Sequence, residues 1–296
     1  MHSAETKVSM LSAQRRLHIA ALRLERARSL LSAGAAVVDS VQASEYSAIG
    51  IADARSSASL APVLTPTSLA VIIGSPDLSP LSSHSASAGP GTIEYEIAGV
   101  SVAIEGRAAA LSFVSASRIG FLVPEEIASG EAEVITTSRE GYVSKGTVQV
   151  TTPSPAIFTL SPGGTSELVA LNQDSGRAAP FRPVIVEPTG NERNSRLMLF
   201  ATGISHASLN TNPDNDVRIG DRVLINLAES VAVEARTADG RVTQLAVEYA
   251  GPQGTYLGLD QINVVIPQEL REIDRVELTL IVGERRSNSG ILSFKI

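Results

Sequence analysis

The stretch GLDQINVVIP, Gly258 to Pro267, has an earlier version in SASRIGFLVP, Ser115 to Pro124, and the two prolines stand 143 positions apart. In each, a short polar lead passes into a nearly continuous apolar run that ends at proline. Such a run reads as a central strand, and proline stops its ladder because it has no N–H to donate. A strand that recurs at a long offset implies a duplicated sheet unit.

The residues after Ser68 follow a period of two, with Gly, Pro, Asn and Asp every eight to twelve positions. LAVIIG (69–74), VSVAIEG (100–106), RAAALSFV (107–114), RIGFLVP (118–124), EAEVITT (131–137) and KGTVQV (145–150) form a first set. RLMLFATG (196–203), VAVEART (231–237), RVTQLAVEYAG (241–251), QINVVIP (261–267), RVELTLIVG (275–283) and GILSFKI (290–296) repeat its order. Glu105-Gly106 and Asp239-Gly240 are the hairpin signals. The expected fold class is mainly β: two tandem Ig-like antiparallel β-sandwiches preceded by an N-terminal α-helix. Gly74 and Gly203 are only 129 apart, so the second copy holds insertions, to which VRIGDRVLINLAES (217–230) is assigned.

The chain of 296 residues exceeds the roughly 250 that one core usually serves. It divides into an N-terminal helical segment (1–50), a Ser/Ala/Pro-rich linker (51–68), sandwich 1 (69–152), a connector (153–182) and sandwich 2 (183–296). Ile157, Phe158 and Leu160 in the connector call for burial against a neighbour. With 4% aromatic residues and no Trp, the core rests on Val, Ile, Leu and Ala. The absence of Cys excludes disulfides, thiolate metal sites and cysteine nucleophiles. A net charge of −7 disfavours nucleic acid as a partner.

Residues 1–38 carry a net +4, which leaves −11 for the remainder. Met10, Leu17, Leu24, Leu31 and Val38 recur at sevens, and Ala13, Ala20, Ala27 and Gly34 fill the position three later. That pattern makes a helix seam for a protein partner or a second copy of the chain. The rival reading takes Arg15–Arg28 as a basic region, Ser29–Val38 as a short apolar region and VQA (41–43) as a cleavage site; dilution of the apolar part by Ala, Gly and Ser leaves no convincing signal peptide. No run reaches the ~18 apolar residues of a membrane-spanning helix, so an integral membrane protein is not expected.

AIFTL (156–160), ALNQDSG (170–176), LFATGI (199–204), YAGPQGTYLGLDQINVVIP (249–267) and SNSGILSFKI (287–296) together resemble the Solibacter-type C-terminal domain family, and VSVAIEGRAAALSFVSASRIGFLVPEEI (100–127) carries the likeness in the first copy. The resemblance covers about Leu69 to Ile296. It implies paired Ig-like modules of large bacterial secreted or surface proteins, hence an extracellular or cell-surface location. Arg118-Ile119-Gly120 departs from the pattern that Gln261-Ile262-Asn263 keeps.

Chemistry is sparse. His2, His18, His84 and His206 show no ligand spacing, Glu125-Glu126 are adjacent and so point opposite ways, and Ser205 lacks a nucleophile elbow. No catalytic residue and no cofactor is expected. The one metal reading is calcium at Asn212, Asp214 and Asp216, whose oxygens alternate as in the start of an EF-type loop; Val217 and Val223 stand where that loop needs Gly and Glu. The expected function is a non-enzymatic structural, assembly or adhesion module of the bacterial surface or exterior, with the N-terminal helix as its docking or self-association element. The alternative is a carbohydrate-binding accessory module with a glycan as partner, and the third reading is a subunit of an extracellular fibre or larger secreted complex.

Overall fold

The computed structural model describes residues 53–73, 86–87, 92–115, 117–137, 143–162, 166–204, 216–219 and 222–295. The N-terminal segment, with Met10, Leu17, Leu24, Leu31 and Val38, lies outside them, as do the four histidines. Within them the protein is mainly β, and two 3-10 turns are its only helical elements.

The first unit comprises β1 (Asp53–Ser56), β2 (Val63–Leu64), β3 (Leu69–Ile73), β4 (Ala86–Ser87), β5 (Ser101–Ile104), β6 (Arg107–Val114), β7 (Arg118–Leu122), β8 (Gly130–Thr137) and β9 (Val143–Val150). Their lateral order is β1-β3-β7-β6-β5-β8-β9-β2, with β4 also on β6. The second unit is built on β10 (Ala156–Ile157), β11 (Ala170–Asn172), the hairpins β12 (Val184–Val186)–β13 (Glu192–Asn194) and β15 (Val217–Ile219)–β16 (Arg222–Leu224), β14 (Arg196–Thr202), β17 (Val231–Arg236), β18 (Val242–Pro252), β19 (Asp260–Val265), β20 (Arg275–Val282) and β21 (Arg285–Ser293). Its order is β10-β14-β19-β18-β17-β20-β21, with β11 also on β14. Strand for strand, β3, β7, β6, β5, β8 and β9 correspond to β14, β19, β18, β17, β20 and β21. The two quoted stretches are β7 and β19, each inside its ladder.

In both units one long strand serves two sheets. β6 pairs with β5 through Arg107–Ala109 and with β7 through Ala110–Val114, and the register slips at Ser112. β18 pairs with β17 through Val242–Leu245 and with β19 through Ala246–Pro252, slipping at Glu248. A bulge sharpens the local twist, which lets a strand leave one sheet and enter the other. Between the sheets sit separate cores. One gathers Ile72, Ile104, Leu111, Phe121 and Val134, the other Leu197, Leu199, Ile262, Val264, Leu278 and Leu280. Each such side chain contributes about 1.5–3 kcal/mol by leaving water.

Two segments hold strands where none was assigned. The stretch read as a linker over 51–68 supplies β1 and β2: β1 pairs antiparallel with β3, β2 runs parallel to β9, and Ala54, Ala58 and Leu64 are buried. Its inward positions in β1 are Ala54 and Ser56, too small and polar to show a hydrophobic alternation. The stretch read as a connector over 153–182 lends β10 and β11 to β14, and Ile157, Leu168, Ala170 and Phe181 enter the second core. Leu160, expected to be buried, is 70% exposed.

Candidate binding cleft between the two units

Residues directly opposite in a ladder point to the same face. Ala70, Phe121 and Leu111 face the first core, so their neighbours Leu69, Leu122 and Ala110, which pair with one another, face outward. Beside them Phe113 pairs with Gly120. A Cβ on Gly120 would lie 2.3 Å from Phe113 Cε1, so the ring occupies the space that glycine leaves. This accounts for Gly120 where the second copy carries Asn263. Around Leu69, Leu122, Ala110 and Phe113 the outer face of the β3-β7-β6 sheet is therefore apolar, with the exposed Arg118 at its far end.

Its counterpart in the second unit is mixed, with Met198 and Phe200 beside polar and charged side chains. Register places Arg196 at the position of Leu69, Glu248 at Ser112, and Gln261 and Asn263 at Arg118 and Gly120. The Arg196 Nε–H donates to both Glu248 oxygens at 2.9–3.0 Å, and Gln261 Nε2 donates to Asn263 Oδ1 at 2.9 Å. The same plan thus presents different surfaces, and the more apolar one is where the second unit lies.

The contact is made by a loop that the first copy lacks. Val114 and Ala250 are 136 apart, whereas their partners Ile119 and Ile262 are 143 apart, so the β18–β19 connection is longer by 143 − 136 = 7 residues. The same comparison gives 127 for Ile72 to Leu199 and 131 for Ile104 to Ala235, so the region holding VRIGDRVLINLAES is longer by only 131 − 127 = 4 residues. The larger insertion is the QGTYLG loop (253–258). It is held by its own first residue, since the Gln253 side-chain oxygen accepts the N–H groups of Thr255 (3.0 Å) and Tyr256 (3.2 Å). Gly258, at φ +74°, closes the loop against the first unit, where a Cβ would stand 2.4 Å from Leu122 Cδ1 and 3.0 Å from the Thr67 carbonyl. One hydroxyl ties the joint: the Leu69 N–H donates to Thr202 Oγ1 (2.7 Å), which donates to the Gly258 carbonyl (2.8 Å).

What the two units leave open is a cleft of about 400 Å³. Leu69, Leu122, Ala110 and Phe113 wall it from the first unit; Phe158, Tyr256 and Leu257 wall it from the second. Ser57, Thr92 and Ser112 supply hydroxyls, and no residue lining it carries a charge. Tyr256 is 53% exposed and Leu257 44%. An apolar concavity with a few polar groups is the usual form of a binding site. The cleft can hold a neutral ligand with much C–H surface; it offers no acid, base or nucleophile beyond hydroxyls. Sequence reasoning missed it. The available signal was the lack of alternation in LAVII and RIGFL, where a sheet with one wet face should alternate.

Of the residues suggested for calcium, Asn212 and Asp214 lie outside the described residues, and an Asp216 carboxylate oxygen accepts the Asn226 N–H at 3.3 Å. Glu126 pairs with Arg107 at the surface. The buried Asp260, 1% exposed, accepts the Ile204 N–H at 2.9 Å and so fixes the chain leaving β14. Near it Tyr249 donates to the Pro252 carbonyl at 2.6 Å, and burial, followed by the charges of Asp260 and Asp216, pushes its phenol up to about 12. A raised pKa means that the folded state holds the proton more tightly. Its stabilisation is complete below the ordinary pKa of about 10 and is lost as pH climbs toward 12. Denaturant titrations between those pH values are expected to show a falling stability that Tyr249→Phe flattens; an identical fall in the variant would assign it to other groups.

No protein-family model matches the chain, and no curated protein matches it. Among solved structures, it is similar to SGBP-B of the Bacteroides ovatus mixed-linkage glucan utilization locus, in complex with a mixed-linkage heptasaccharide, at 10% identity and a TM-score of 0.30 over 79% of this chain and 43% of that one. An auxiliary nutrient binding protein from Bacteroides ovatus matches at 11% identity and 0.21 over 63% and 44%. Murine CEACAM1b matches at 10% and 0.19 over 79% and 96%. The chain thus spans less than half the length of the first two.

Proposed function

We propose that the chain is a non-catalytic, tandem Ig-like binding module of the bacterial surface or exterior, and that it binds carbohydrate in the cleft between its two units. The observation that carries this reading is the lining of the cleft. Phe113, Phe158 and Tyr256 offer rings to the C–H faces of a sugar, Ser57, Thr92 and Ser112 offer hydroxyls, and charge is absent. The resemblance to Solibacter-type C-terminal domains, carried by the motifs quoted above, agrees with an exterior setting. No helix among the described residues is long and apolar enough to cross a membrane.

A second reading keeps the chain as a structural or adhesive spacer, and the Thr202 tie between the units favours it, because a stiff joint suits a fibre or a stalk. An array of neutral and acidic polysaccharides separates the two. Binding to neutral glycans, reduced at least tenfold by Tyr256→Ala or Phe113→Ala, supports the carbohydrate reading. No binding to any glycan retires it in favour of the spacer.

A further inference from the structure

We infer that the binding surface continues from the cleft across the outer face of the second unit, so that the ligand is a neutral polysaccharide chain rather than a single sugar or its pair. This rests on the carbohydrate reading of the cleft. Phe158, which walls the cleft, donates its N–H to the Phe200 carbonyl at 2.9 Å and extends the register of Ile157 with Ala201 by one residue. Ile157, Leu199, Ala201 and Ile262 face the core, so Phe158, Phe200 and Gln261, opposite one another in turn, face outward in one row. The next row holds Leu171, Met198 and Asn263.

The surface therefore runs from the cleft along two aromatic rings to a pair of side-chain amides, over two strand spacings, about 10 Å. Its residues are half-buried and none of these six is charged; the Arg196–Glu248 pair in the following row is mutually neutralised and bounds the surface. Gln261 and Asn263 bond to each other through one N–H and one carbonyl, which leaves a carbonyl and the remaining amide N–H groups for vicinal hydroxyls. Rings that pack on C–H faces, beside amides that pair with hydroxyls, suit a sugar chain. An extended peptide would require a free sheet edge, whereas β14 and β19 are both flanked by strands here, so only the face is on offer.

The test is calorimetric titration with neutral gluco- and manno-oligosaccharides of two, four and six units, against the wild type and the Gln261→Ala/Asn263→Ala double variant, with unchanged melting as the fold control. Affinity rising about tenfold from two to six units, with the gain lost in the double variant while two-unit binding persists, supports the extended surface. Affinity independent of length, or a gain that survives the double substitution, overturns it and leaves the cleft intact. If no saccharide of any length binds, the cleft reading fails and this inference falls with it.

Discussion

Phe121→Ala is expected to remove about 3–5 kcal/mol from the first unit while leaving the second at its own melting temperature. The ring is fully buried and sits in β7, opposite Ala70 in β3 and Leu111 in β6. Ala70 is its only neighbour on the β3 side of the ladder, so removing the ring leaves a void that backbone movement cannot close without disturbing both ladders. A loss of this size is comparable to the whole stability of a marginal domain. The two cores share no residue, which is why the damage stays local. Differential scanning calorimetry should show two transitions, the lower moved down by more than about 10 °C. A single transition that shifts as a whole would mean that the cores melt as one.

The strands were legible where residues advertise them. RIGFLVP and QINVVIP combine apolar side chains with a terminal proline, and RVELTLIV alternates cleanly between core and solvent. Glu105-Gly106 also announced its turn, with φ values of +47° and +73°. Asp239-Gly240 gave a looser one, closed by the Thr237 N–H on the Arg241 carbonyl. Strands β1, β2, β10 and β11 were hidden because their inward positions are mostly Ala, Ser or single Leu and Ile residues set among prolines and polar residues. The cleft was harder still. It depends on how Gly258 meets Leu122 and Leu69, a relation between residues far apart in the chain, and on Gly120 making room for Phe113. Each glycine could be read singly as a turn or a weak strand position; only the packed register shows what they admit.

Gly258→Val is expected to release the joint without unfolding either unit. Gly258 belongs to neither core, and its φ of +74° is one that β-branched residues rarely adopt, at a cost of about 1–2 kcal/mol. Cβ would also collide with Leu122 and the Thr67 carbonyl, so the QGTYLG loop must leave the first unit, and the Thr202 hydroxyl that bonds Leu69 loses the Gly258 carbonyl that orients it. Tyr256 would then no longer face Phe113 across the cleft. Because the chain has no cysteine, Glu131→Cys on the first unit and Val186→Cys on the second, both exposed, can carry a spin-label pair without background. The distance between them, measured by double electron–electron resonance, tests the joint most directly. One narrow distribution is expected in the otherwise native chain and a broad one after Gly258→Val; a broad distribution before that substitution would mean that the two units are not held together as described.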